Sequence, residues 1–276
     1  MKVAVLSDIH ANYAALEAVL RHLEGASPQA VLVGGDIINR GPDPARCLEI
    51  ILSRMRTDGW RVIRGNHEDY ALRAAEGITH LAPWEQLVIA HTVWTVDRIR
   101  NHLPRIAEWP DQLEINAPDG SALVLLHASR KGNRAGLYEF MADQELLDHA
   151  HPAPSAICVG HTHVPFIRRV QGSLFVNAGA VGMPFDGDPR ASYALLDWSP
   201  SGWNAEIIRV PYDRERTEAA YRTSGYLEQG GPMVPLILQE LQRSTSRLGA
   251  WHRRYEPQVT AGKLTVPESV SALLAE

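Results

Sequence analysis

Asp8 and His10, Asp36, Asn66 and His67, His127, and His161 and His163 are the residues of this chain best suited to chemistry. Each group follows a short apolar run, so five separate strands would deliver a carboxylate, an amide or an imidazole at their carboxyl ends. These donors combine oxygen and nitrogen with no thiolate, a set that suits Mn, Fe, Co, Ni or Zn and disfavours an all-oxygen calcium site. So many donors exceed what one ion accepts; they suit two ions about 4 Å apart that share a carboxylate. Taken singly, each residue has a plainer reading. A His beside a strand is commonly a satisfied packing residue. Asp36, after Gly34 and Gly35, could be the helix cap of an ordinary βα turn, although the two glycines also leave room for a close approach to the backbone there. The repetition at five strand ends is what favours a shared site.

The elements that must position these residues follow from periodicity. Residues 3–6 form a first strand ending in Asp8 and His10, which in extended chain point the same way. Asn12 caps a helix with Leu16, Val19, Leu20 and Leu23 on one face, and residues 31–33 return as a buried strand, which makes a βαβ unit with a parallel sheet. A second helix carries Cys47, Leu48, Ile51, Leu52 and Met55 and closes at Gly59; residues 60–64 read as a third strand. Residues 68–102 read as helices, including one from Pro83 through Leu87, Val88, Val93, Val96 and Ile99, placed as a cap over a cleft. Residues 103–115 read as a strand or two interrupted by prolines, residues 122–126 and 156–159 as buried strands, and residues 142–149 as a helix. A hairpin is expected around Gln171-Gly172 and an antiparallel pair at 192–197 and 204–209. From Asp213 the pattern is helical, with Pro232 and Pro235 opening a long helix through Leu236, Leu241 and Leu248, whereas residues 256–276 carry little pattern. The expected organisation is a core of residues 1–212 with a helical insertion at about 68–102, followed by a helical extension over 213–276.

Composition narrows the class. The 276 residues are 45% hydrophobic, enough for a large core, and the formal net charge of −5 with no run of Lys or Arg makes nucleic acid an unlikely partner. Cys47 and Cys158 give neither a disulfide framework nor a CxxC spacing, which favours a reducing cytoplasm. A carboxylate at Asp8 comes too early for a signal-peptide core, and no apolar stretch approaches the ~20 residues of a membrane span, so a soluble, unprocessed chain is expected.

The motifs Asp8-x-His10, Gly35-Asp36, Gly65-Asn66-His67-Glu68, His127 and Gly160-His161-x-His163 resemble, in order and spacing, those of the calcineurin-like metallophosphoesterases. Gly35-Asp36-x-x-x-Arg40-Gly41 and Arg64-Gly65-Asn66-His67-Glu68 resemble the branch with serine/threonine protein phosphatases and bacterial diadenosine tetraphosphatases. Asp8-Ile9-His10-x-Asn12 is similar to the small bacterial phosphoesterases within it. The resemblance implies an α/β fold of two packed mixed β-sheets flanked by helices, a four-layer α/β/β/α sandwich. It implies that Asp8, His10 and His163 hold one metal, that Asn66, His127 and His161 hold a second, and that Asp36 bridges them, with manganese the foremost candidate. His67 would face the phosphate as general acid or transition-state donor, and Arg40 would clamp its oxygens. The implied activity is hydrolysis of a phosphate ester by a hydroxide bound to the dinuclear site. A small-molecule or nucleotide mono- or diester is the foremost substrate; a dinucleoside polyphosphate or a phosphoprotein is the alternative. A non-catalytic scaffold is the remote one, against which the full ligand set counts. One position departs from the protein-phosphatase pattern: Asn39 stands where that branch has an Asp, and an amide can orient His67 without adding charge to raise its pKa.

Overall fold

The aliphatic segment Lys2–Leu6 (β1) lies in the middle of a five-stranded sheet in the computed structural model, which describes all of residues 1–276. It pairs in parallel with Ala30–Val33 (β2), which in turn pairs with the two-residue strand Arg61–Val62 (β3). On its other side β1 runs antiparallel to Ala191–Ser199 (β9), which pairs with Gly202–Val210 (β10). A second five-stranded sheet is built from Gln112–Asn116 (β4), Ala122–Leu126 (β5), Ala156–Val159 (β6), Phe166–Val170 (β7) and Ser173–Asn177 (β8), in the order β4-β5-β6-β8-β7. Both sheets are mixed.

Strand alternation explains the layering. Val3, Val5 and Leu32 point inward and share one core with Leu123, Leu125, Cys158 and Val176 of the other sheet. Ala4, Leu6, Val31 and Val33 point outward, onto the apolar faces of Tyr13–Ala26 (α1) and Pro44–Thr57 (α2). Val124, Leu126, Ile157 and Val159 pack with Leu146 and Ala150 of Asp143–Ala150 (α7) on the far side. The result is the expected α/β/β/α stack. Asn12 caps α1, its Oδ1 accepting from the Ala15 amide at 3.1 Å.

Several elements differ from the sequence reading, each for a local reason. The third strand stops at Val62 in the ladder because the Arg64 amide donates to the Pro110 carbonyl instead. Residues 103–107 are helical (α6), with Pro104 in the first turn, where its missing N–H costs nothing. The helix expected from Pro83 to Ile99 is two, Pro83–Val88 (α4) and Ala90–Ile99 (α5), broken at Ile89. The long helix after Pro232 ends at Arg243 (α10, Val234–Arg243). Ser244 then takes a left-handed conformation, and Leu248–Arg254 (α11) starts on amides of Arg247 and Leu248 that Glu240 Oε1 accepts at 2.8 Å each.

Residues 256–276, patternless by eye, contain Glu256–Thr260 (α12) and Val266–Leu274 (α13) and bury Val259, Val266, Val270 and Leu273. These join Tyr221 of Arg214–Thr223 (α8), Tyr226 of Tyr226–Gln229 (α9), Leu236, Ile237 and Trp251 in one cluster, which also takes in Trp94 of α5. No helix is long and apolar enough to cross a membrane.

Candidate metal centre

The carboxyl ends of β1, β2, β5 and β6, together with the start of Asn66–Glu76 (α3) after β3, meet along one edge of the two sheets. Asp8 and His10 do not reach it in extended chain: β1 ends at Leu6, and both residues adopt left-handed backbone, with φ of 55° and 46°. Ala11, Asp36, Asn39, Arg40, His161 and His163 do the same, so this edge holds eight of the eleven non-glycine residues with positive φ. Conformations of this kind persist only where surrounding structure enforces them. Here the enforcement comes from loop-to-loop hydrogen bonds, Asp8 N to Gly35 O (3.1 Å), His10 N to Asp36 O (2.9 Å) and Ala11 N to Ile37 O (2.9 Å). The room expected at Gly35 serves this packing, since a Cβ there would come 2.3 Å from the Gly65 nitrogen, and one on Gly65 would come 2.1 Å from Asp36 Oδ1.

The donor atoms converge with their protons turned away. His10 Nδ1 and His163 Nδ1 face the carbonyl oxygens of Asn39 (3.3 Å) and Met183 (2.6 Å), so each neutral ring carries its proton there and points a bare Nε2 inward. Those two Nε2 atoms are 3.1 Å apart. Asp8 Oδ1 lies 3.2 Å from His163 Nε2 and 3.9 Å from His10 Nε2, and it is buried without any hydrogen bond. Three lone-pair donors thus face one another, an arrangement that a divalent cation satisfies. The second group lies beside the first. His127 Nδ1 donates to the Gly34 carbonyl at 2.7 Å, and its Nε2 lies 2.9 Å from Asn66 Oδ1 and 3.3 Å from Asp36 Oδ2; His161 Nδ1 is 2.8 Å from Asn66 Oδ1. Asp36 Oδ2 stands between the groups, also 3.7 Å from His10 Nε2.

Electrostatics agree with the geometry. Burial alone would lower His127, but the Asp36 carboxylate, helped by Asp8 and the Gly34 carbonyl, raises it to about 10, so a proton on Nε2 takes the place of a cation. Burial opposes ionisation of Asp36, yet His127, His67 and His10 hold it well below the usual carboxylate range. Burial pushes His10 far down, aided by His163 and His67, and burial lowers His161 to about 4, aided by His127. The residues present therefore fit divalent metal.

Three further groups have roles that the sequence reading does not assign. Glu68 is fully buried and accepts from the amides of Asp36 (2.8 Å), Ile37 (2.9 Å) and Gly65 (2.8 Å), which locks the Asp36 loop to the start of α3. Its place three residues after Gly65 is a capping pattern that the sequence does display. His91, Thr92 and Thr95 of α5 form the second group, around Asn39. Asn39 Oδ1 accepts from Arg40 N (3.0 Å) and faces His91 Nδ1 (3.0 Å), which leaves Nδ2 to donate to Thr92 Oγ1 (2.9 Å) and His67 Nδ1 (2.9 Å). A backbone N–H can only donate, so Arg40 N fixes the orientation of this amide and, through it, the tautomer of His67: Nδ1 accepts and Nε2 bears the proton. Burial, with Arg40 and His91 adding to it against Asp36, holds His67 well below the usual histidine value. The third group is Tyr221 and Glu240, from the extension. Tyr221 donates to the Arg40 carbonyl at 2.9 Å, and the buried Glu240 Oε2, without a hydrogen bond of its own, lies 3.8 Å from Arg40 Nη1.

A cleft of about 560 Å³ opens over Asp36, Asn66, His67, His161 and His163. A second cavity of about 440 Å³, walled by α3 to α5 and by the extension, shares Arg40, His67, Tyr70, Arg134 and His252 with it.

Residues 1–201 match the family model of the calcineurin-like phosphoesterase superfamily domain, and the chain belongs to that family. It is accordingly a hydrolase acting on phosphoester bonds. It is 30% identical over 227 residues to the uncharacterized protein MJ0912 of Methanocaldococcus jannaschii, covering 76% of this chain and 88% of that one. It is 28% identical over 199 residues to the phosphodiesterase YfcE of Escherichia coli, covering 71% and 88% respectively. The crystal structure of a metallophosphoesterase from Sphaerobacter thermophilus, at 26% identity, superposes with a TM-score of 0.67 over 89% of this chain and 99% of that one.

Proposed function

We propose that this chain hydrolyses a small phosphate-containing molecule or nucleotide at a centre of two divalent metal ions, with manganese the first ion to test. The observation that carries the reading is the inward convergence of the donor atoms, above all the buried, partnerless Asp8 Oδ1 beside His10 Nε2 and His163 Nε2. Asp8, His10 and His163 would hold one ion, Asn66, His127 and His161 the other, and Asp36 both. Bound there, the ions supply Lewis-acid charge at phosphorus and lower the pKa of water. The protein's own residues do the rest. Glu68 keeps Asp36 in register, Arg40 grips phosphate oxygens, and His67 offers its Nε2 proton to the cleft. In this reading residues 1–212 are the catalytic core, and the insertion at 68–102 and the extension at 213–276 wall the substrate cavity. A cavity walled by the insertion and the extension supports a small substrate over a folded phosphoprotein. The cysteines are buried and unpaired, which supports a reducing, cytoplasmic setting.

The test is metal dependence. Activity on an aryl phosphate is expected to vanish after chelation and to return with Mn²⁺, with two equivalents of metal bound per chain by elemental analysis. Full turnover in chelator would overturn the reading.

Arg40→Lys keeps the charge but loses the two-pronged fork, so kcat/KM is expected to fall about 10- to 100-fold, the worth of one charge-assisted hydrogen bond of ~1.5–3 kcal/mol. Wild-type kcat/KM in that variant would reduce Arg40 to a turn residue.

A further inference from the structure

We propose that the cavity beside Arg40 and His67 receives the leaving-group side of the substrate, and that this part of the substrate carries a second phosphate on an apolar or ring-bearing body. The inference rests on the phosphoesterase reading and specifies its substrate class: a small organic molecule phosphorylated at two places, or a nucleotide with a phosphate beyond the one removed.

The cavity's charge is the first observation. Its 17 lining residues include three arginines and four histidines and no carboxylate, although the chain as a whole is acidic, at −5. The second observation is that Arg73 and Arg134 are free. Some exposed arginines elsewhere in the molecule, Arg54, Arg100 and Arg254 among them, are paired with a carboxylate, at 2.6, 2.7 and 2.5 Å, and others, such as Arg56 and Arg105, are not. Arg73 and Arg134 make no ion pair and no side-chain hydrogen bond, yet their guanidinium carbons lie 5.6 and 5.8 Å from the centre of the same ring, Tyr70. An anion entering there breaks no existing pair, and a planar fork matches phosphate oxygens in two places at once. The third observation is the apolar floor of Ile78, Leu81, Val88, Ile89 and Met233, which would suit a hydrocarbon or ring but not a bare inorganic anion.

Direction follows from what the two cavities share. Arg40 and His67 line both, so a phosphate gripped between them at the candidate centre turns one ester oxygen toward the second cavity. In the reaction a water oxygen bonds to phosphorus, the bond from phosphorus to that ester oxygen breaks, and a proton released from the water ends on the departing oxygen. The departing molecule is then itself a phosphate monoester, held by Arg73 and Arg134.

The experiment compares 1,4-phenylene bisphosphate with 4-methoxyphenyl phosphate, two esters of phenols of similar acidity that differ in the second phosphate. After the statistical factor of two for the symmetric substrate, the bisphosphate is expected to have a kcat/KM at least about tenfold higher at low ionic strength, where such contacts are least screened. In the Arg73→Gln/Arg134→Gln double variant that ratio should fall to near one. A wild-type ratio near one, or a ratio that survives in the double variant, would overturn the proposal. No phosphate release from either ester would instead overturn the phosphoesterase reading beneath it.

Discussion

Asp36→Asn is expected to abolish metal binding at both positions and to lower kcat by ~10³ or more, beyond the 10- to 100-fold typical when only a partner of a metal ligand is lost. Asp36 Oδ2 faces His127 Nε2 at 3.3 Å and His10 Nε2 at 3.7 Å, one atom from each donor group, while Oδ1 accepts from the His67 amide at 2.9 Å. In the variant the amide oxygen can keep the His67 contact, which turns Nδ2, a donor, toward the place where a cation would sit. The site would then satisfy itself without metal. Asp8→Asn should be milder, with loss of one equivalent, because Asp8 Oδ1 lies closest to His10 and His163, both of one donor group, and its Oδ2 is engaged by the His161 amide at 2.9 Å. Metal content and turnover of the two variants check this, with thermal melting in chelator to separate folding defects. Equal and mild losses would return Asp36 to the role of a turn cap.

His67→Ala is expected to cost about 10²- to 10³-fold in kcat, the usual worth of a positioned donor to a developing oxyanion. The loss should be the same, within a few-fold, for a nitrophenyl and an alkyl phosphate. A general acid would behave otherwise, since an alkoxide needs its proton far more than a nitrophenolate does. The structure favours the donor role. His67 Nδ1 accepts from Asn39, burial holds the ring well below its ordinary pKa, and cations bound alongside would lower it further, so the imidazole is neutral at pH 7.

Asn39→Asp reverses this. A carboxylate at 2.9 Å would draw a proton onto Nδ1 and raise the pKa of His67. A basic limb should therefore appear in the pH profile, with activity on the alkyl ester falling as pH rises through the new value, where the wild type shows none from this group. An unchanged profile would break the link between residues 39 and 67. A loss in His67→Ala that is much larger for the alkyl ester would restore the general acid.

The strand ends and the residues that follow them were legible in the chain, because alternation of buried aliphatics and the caps of the intervening helices are written in neighbouring positions. Asn12 is such a cap, and the inward Val3 and Val5 against the outward Ala4 and Leu6 are such an alternation. Donor types could likewise be read off, since an imidazole or carboxylate keeps its chemistry in any fold.

Only the tertiary structure decided how they act together. The donors of one edge come from two different sheets, and left-handed backbone rather than strand pleating aims Asp8 and His10. The proton position on His67 depends on Asn39, whose orientation depends in turn on Arg40 N and on Thr92 of α5, a residue distant in sequence. The buried Glu240, from a helix outside the matched family domain, sets the environment of Arg40 in the same way. Contacts between remote segments leave no periodic trace, because their energy comes from desolvation and hydrogen bonding at a meeting point that neither segment specifies alone.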